Sequence, residues 1–276
     1  MTLQARALLW LAEGRPAMVV EVENHRGSVP RETGTRMLVS AREVVGTIGG
    51  GHLELQAIEH ARRMLRGEPL RVQQQLALGP TLGQCCGGAL TLRYRVLADS
   101  APATWAPAAP RFALQLYGAG HVGRAIVRLL EGIDCRVRWI DERESEFPSA
   151  PSPAHIERTC VEPVEAEVAS APVGACYLVL THSHDLDLRI TEAVLRRGDF
   201  AYLGLIGSKT KRARFVHRFE QRGIAAAALA RLTCPIGVPG ITGKEPAVIA
   251  VAVVAQLLAL SSAPATVAAA PQSAQR

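Results

Sequence analysis

The chain has 276 residues, 48% hydrophobic and 20% charged, which is long enough for about two domains and too apolar for wholesale disorder. Lys plus Arg stands at 31 against 25 acidic residues; the resulting +6 permits an anionic partner but is too weak to argue for nucleic acid. Aromatic residues make up only 4%, which argues against a base-stacking platform.

No apolar run reaches the ~20 residues of a membrane span: residues 247–260 are too short and contain Gln256. The stretch Met1–Leu11 does not read as a signal peptide. Six cysteines are scattered, at 85, 86, 135, 160, 176 and 234, with no C-x-x-C pair. The expectation is a reduced, cytoplasmic protein that neither enters a membrane nor binds nucleic acid.

In chain order, residues 3–13 carry a helical pattern that stops at Gly14. Residues 16–22 and 35–40 read as strands, joined by a turn-rich connection over 24–34. A Gly-rich loop, Gly46-Thr-Ile-Gly-Gly-Gly51, opens an amphipathic helix over 52–65. Residues 72–78 and 89–97 alternate like strands, and between them lies Gly83-Gln-Cys-Cys-Gly-Gly88. This mixture predicts an α+β domain over 1–98, then an Ala/Pro linker over 99–111.

From residue 112 strands and helices alternate: strands over 112–117, 136–140, 176–180 and 200–206, helices over 122–130, 186–196 and 209–221. The rhythm predicts an α/β architecture, a Rossmann-like doubly wound parallel sheet over 112–260, with a disordered tail over 261–276.

Four glycine-bearing loops attract attention. Gly118-Ala-Gly-His-Val-Gly123 follows a strand and opens a helix, and Asp141 ends the next strand 18 residues after Gly123, where a ribose-binding carboxylate belongs. Missing side chains let backbone N–H groups approach a phosphate, which the helix dipole favours. The competing reading is that the glycines only let helix and strand pack closely. His121 either touches a ligand or blocks a dinucleotide.

Thr181-His-Ser-His-Asp185 follows a strand, so His182 and Ser183 are candidate ligand contacts, with helix capping by Ser183 or Asp185 as the plainer alternative. His182, His184, Asp185 and Asp187 have a spacing that also resembles metal ligands. Ser208 and Lys209 repeat the strand-end arrangement one strand later, as an anion site or an ordinary capped helix. Gly49, Gly50 and Gly51, with His52 and Glu54, form either a tight turn or a close ligand approach. Gln84, Cys85 and Cys86 are candidates for persulfide chemistry, for a soft metal, or for simple burial.

Taken in order, these motifs together with Gly27-Ser-Val-Pro-Arg31 and Gly34-Thr-Arg-Met-Leu38 resemble the XdhC/CoxI family, accessory proteins of xanthine dehydrogenase and related molybdenum hydroxylases. The resemblance runs from about Gly27 to the last helix near Leu260. It implies a non-enzymatic chaperone that binds the molybdenum cofactor (molybdopterin), supports its sulfuration and delivers it to an apo xanthine dehydrogenase-type enzyme. A cysteine desulfurase would supply the sulfur, and a homodimer is the default assembly. The Gly49–Gly51 and Gly118–Gly123 loops would take the phosphate; Gln84, Cys85 and Cys86 would face the metal. Relatives are more acidic in the last helix, where this chain has Val248 and Gln256. The competing class is an NAD(P)-dependent oxidoreductase using Asp141 and His182 or His184.

Overall fold

The computed structural model describes residues 2–78, 88–105 and 110–262, which fall into two compact units, Met1–Pro107 and Ala108–Arg276. In the first, helix α1 (Leu3–Ala12) is opened by Thr2, whose hydroxyl accepts from Ala5 N, and buries Ala7 and Trp10. Strands β1 (Ala17–Arg26), β2 (Arg36–Ser40), β3 (Val44–Gly46), β4 (Gln73–Ala77) and β5 (Ala89–Val96) form one antiparallel sheet in the order β3-β2-β1-β5-β4. Helix α2 (Gly51–Leu65) lays Leu53, Ala57 and Ala61 on this sheet. The spacing of four residues between these three positions puts them on one helical face.

Three expectations change here. Strand β1 runs through Arg26 because it pairs with β5 as far as Arg26–Ala89, past a bulge at Val22/Asn24. The expected linker is not free at its start: residues 97–99 and 102–104 form 3-10 turns, and Trp105 is 9% exposed. Trp105 Nε1 donates to Ser100 O at 3.0 Å, and Gln4 Nε2 donates to the carbonyls of Pro102 and Trp105. A large indole with a satisfied N–H is worth more buried on α1 than in solvent. Residues 106–109 and 263–276 lie outside the described residues; Ser261 and Ser262, expected in the tail, still belong to the last helix.

The second unit holds six parallel strands: β6 (Ala113–Tyr117), β7 (Arg136–Asp141), β8 (Ile156–Cys160), β9 (Cys176–Val179), β10 (Tyr202–Leu205) and β11 (Leu232–Thr233). Their order, β11-β10-β9-β6-β7-β8, is the Rossmann order read from the far edge, with its reversal between β6 and β9. Helices α3 (His121–Leu130) and α7 (Pro246–Ser262) cover one face; α4 (His184–Arg197), α5 (Lys209–Gln221) and α6 (Ala226–Ala230) cover the other. Strands β6, β9 and β10 are apolar almost throughout, as a sheet buried on both faces requires. Among the described residues no helix is long and apolar enough to cross a membrane.

Candidate functional site

The three glycines of the Gly118 loop have separate jobs. A Cβ on Gly118, where φ is +120°, would stand 2.4 Å from Leu180 O, and one on Gly123 would stand 2.1 Å from Gly118 O. Both glycines are therefore packing residues that let α3 sit on β6 and β9. Trp139 Nε1 fixes the turn further by donating to Gly118 O at 3.0 Å. Gly120 differs, since a Cβ there would meet nothing within 4 Å. It is the N-cap of α3, and no side chain caps that helix. The first N–H groups of α3 have no intrahelical acceptor by construction and point out beside Gly120. His121 is exposed next to them.

At the other glycine-bearing loops the chain makes contacts of its own. At α2, Glu54 folds back: its Oε2 accepts from Thr47 Oγ1 at 2.5 Å, Ile48 N at 3.0 Å and Gly50 N at 3.1 Å. Gly49 N donates to Thr47 Oγ1, and a Cβ on Gly49 would stand 2.4 Å from Pro30 Cβ. Gly49–Gly51 is thus a tight turn braced by Glu54, one of its two expected readings; α2 carries no side-chain cap, and Gly51 and His52 are exposed at its start. Gly88 is likewise a packing glycine, its Cβ position 2.2 Å from Ser28 O. Gln84, Cys85 and Cys86 lie outside the described residues.

At α4, Ser183 Oγ accepts from Leu186 N at 3.4 Å, so the plain capping reading holds for Ser183. His182 is exposed, with Nε2 3.5 Å from Glu142 Oε1, and His184 is exposed as well. Among the described residues no group of three or more His, Cys, Asp or Glu is placed to hold a metal ion. At α5, Ser208 Oγ accepts from Lys211 N at 3.2 Å, and Lys209 is exposed.

Asp141, expected at a ribose, has partners within the chain. Its carboxylate is buried and its acceptor positions are filled from within. Oδ2 takes Ala119 N at 2.7 Å and Arg143 Nη2 at 3.0 Å; Oδ1 takes Arg143 N and Nε, both at 3.0 Å. Burial raises its pKa, but the Arg143 guanidinium and the two backbone donors outweigh that, holding the carboxyl below its ordinary value. Asp141 ties the Gly118 loop to β7.

Asp187, read from sequence only for its metal-like spacing, has a different partner. Asp187 accepts from Thr181 N at 2.9 Å, Thr181 Oγ1 at 2.7 Å and Lys211 Nζ at 2.6 Å, with side-chain exposures of 2% for Asp187 and 11% for Lys211. Lys211 Nζ also donates to Ile206 O at 2.9 Å. This buried ion pair ties the carboxyl ends of β9 and β10 together. The sequence signal was there, an Asp in the first turn of one helix and a Lys in the first turn of the next, but nothing local pairs them. In α7, Gln256 Oε1 accepts from Tyr202 OH at 2.6 Å and Gly237 N at 2.8 Å, so this amide is an internal anchor.

Comparison with known proteins agrees with this architecture. A family model described as the XdhC Rossmann domain matches residues 114–257, and one described as the XdhC and CoxI family matches residues 10–74. The uncharacterized protein YqeB of Escherichia coli (strain K12) is 30% identical over 248 residues, 88% of this chain. The chain spans 43% of that relative's length. A crystal structure from Bacillus halodurans, described as a xanthine dehydrogenase, superposes with a TM-score of 0.73 at 18% identity, covering 96% of this chain and 98% of that one, which shows a common fold. With its Rossmann sheet matched over 114–257 and its N-terminal unit over 10–74, the chain belongs to the XdhC and CoxI family.

Proposed function

We propose that the protein is an accessory chaperone of a xanthine dehydrogenase-type molybdenum hydroxylase: it binds the molybdenum cofactor, shelters it during sulfuration and hands it to the apo-enzyme. The observation that carries this reading is the uncapped N-terminus of α3, with Gly120 opening onto empty space. A terminal phosphate fits there: the first N–H groups of α3 supply hydrogen bonds and the helix dipole supplies favourable field, without a cluster of cations. Gly118, Gly123 and Asp141 hold the loop in shape; His121, His182 and Lys209 are the exposed polar side chains at neighbouring strand ends. The cofactor brings its own molybdenum chemistry, and this chain's part is to bind, orient and protect. A cysteine desulfurase as sulfur donor, Cys85 and Cys86 as candidate sulfur-relay thiols, and assembly as a homodimer in the cytoplasm belong to the same proposal.

The test is anaerobic loading with molybdopterin followed by molybdenum and pterin analysis of wild type and Gly120→Val. Retention by wild type, with a loss of about tenfold or more in the folded variant, is expected. No retention by wild type, or equal loading of the variant, would refute the reading. The strand order and the glycine spacing also favour a second reading, an NAD(P)-dependent oxidoreductase.

A further inference from the structure

We infer that Arg143, clamped on Asp141, is a specificity-determining residue that makes the Gly118 loop selective for a phosphate without an accompanying nucleoside diol, and so for a pterin monophosphate over NAD(P) or a dinucleotide form of the pterin. The pterin part rests on the proposed function; the rejection of dinucleotides stands on geometry alone.

In Rossmann sheets the carboxylate at the end of the second strand accepts the ribose hydroxyls of a dinucleotide. A carboxylate has about four acceptor positions. In this chain all four are taken, one by Ala119 N–H of the loop itself and three by Arg143. The clamp is braced from behind. Arg143 Nη1 lies 3.5 Å from Glu146 Oε1, Glu146 also binds Arg124, and Arg124 Nε donates to Ala119 O at 2.8 Å. A ribose diol can reach Asp141 only by displacing a bidentate guanidinium from a buried carboxylate, and charge-assisted forks of this kind are among the stronger hydrogen bonds in proteins. Nor is Arg143 free for the 2′-phosphate of NADP, because it already faces two carboxylates that would repel the incoming anion. A lone phosphate avoids this. It needs only the α3 N–H groups beside Gly120, which the clamp leaves open.

The experiment titrates the full chain with NADH, NADPH and molybdopterin by calorimetry, comparing wild type with Arg143→Ala and Arg143→Lys, each checked by its melting curve. Wild type is expected to show no NADH or NADPH binding up to about 1 mM; Arg143→Ala should gain NADH affinity by about tenfold or more, and Arg143→Lys, which cannot span both oxygens, should fall between. Micromolar NADH or NADPH binding by wild type overturns the inference. So does the absence of any gain in a folded variant, and if Arg143→Ala does not fold, the lysine variant carries the same comparison. A wild type that binds no molybdopterin, alongside an alanine variant that gains NADH, removes the proposed function and leaves the clamp. Molybdopterin binding with no NADH gain removes the clamp alone.

Discussion

Gly120 and Gly123 are three residues apart in one loop, yet alanine at each should have different consequences. At Gly123 a methyl carbon would stand 2.1 Å from Gly118 O and 3.1 Å from Gly118 C, both backbone atoms of a turn pinned by Trp139. Helix α3 must move away from β6, and forced shifts of this kind cost about 1–3 kcal/mol. Alanine's preference for helix interiors returns up to about 1 kcal/mol. Taking about 2 kcal/mol lost and about 0.5 returned, the net loss is about 1.5 kcal/mol, which for a unit of this size lowers the melting temperature by about 3–6 °C. At Gly120 the backbone is extended, with φ −69° and ψ −170°, and a methyl meets nothing within 4 Å. Gly is preferred over Ala at an N-cap, so stability should fall by about 0.5–1 kcal/mol, less than at Gly123. The same methyl, however, projects into the space assigned to the phosphate, so molybdopterin retention should fall by about tenfold, or 1.4 kcal/mol. Thermal melts and anaerobic loading, run on both variants, separate the two effects. If Gly123→Ala melts with wild type, or Gly120→Ala is the less stable of the two, the division of labour among these glycines is wrong.

Three further outcomes follow from the same geometry. Lys211→Met strands the buried Asp187 carboxylate with only Thr181 as partner, and urea unfolding should show a loss of about 3 kcal/mol, part of it recovered when Asp187→Asn is added. Asp141 has a folded pKa below its ordinary 3.8, so its contribution is complete above that value and disappears as pH falls through the folded pKa; Asp141→Asn should lower stability at pH 7 and flatten the acid limb below about pH 4. Burial pushes Cys135 and Cys176 up to about 11; Cys160 is exposed, and although desolvation and the Glu144 carboxylate raise its thiol as well, reagent can reach it. Mass spectrometry after iodoacetamide treatment at pH 8 should therefore find Cys160 labelled well before the other two; equal labelling would contradict the packing of β9.

The regular alternation after residue 112 and the glycine spacing at 118, 120 and 123 were legible because hydrophobic period and the absence of a side chain are local properties. Strands β3 and β8 were not legible: three residues, Val44–Gly46, carry no period, and Ile-Glu-Arg-Thr-Cys has one apolar anchor on an edge. What only the tertiary structure decided is which polar groups were already satisfied. From sequence, Gly118–Gly123 looks like a phosphate cradle, Gly49–Gly51 like either a tight turn or a second one, and Asp141 like a ribose acceptor. In the fold, Glu54 returns to brace the Gly49–Gly51 turn, Arg143 fills Asp141, and Lys211 reaches Asp187 across 24 residues, while the glycine-opened starts of α2 and α3 both stay without a side-chain cap. A residue type declares how many hydrogen bonds it can make; whether they are free for a ligand depends on which other groups the folded chain brings within about 3 Å.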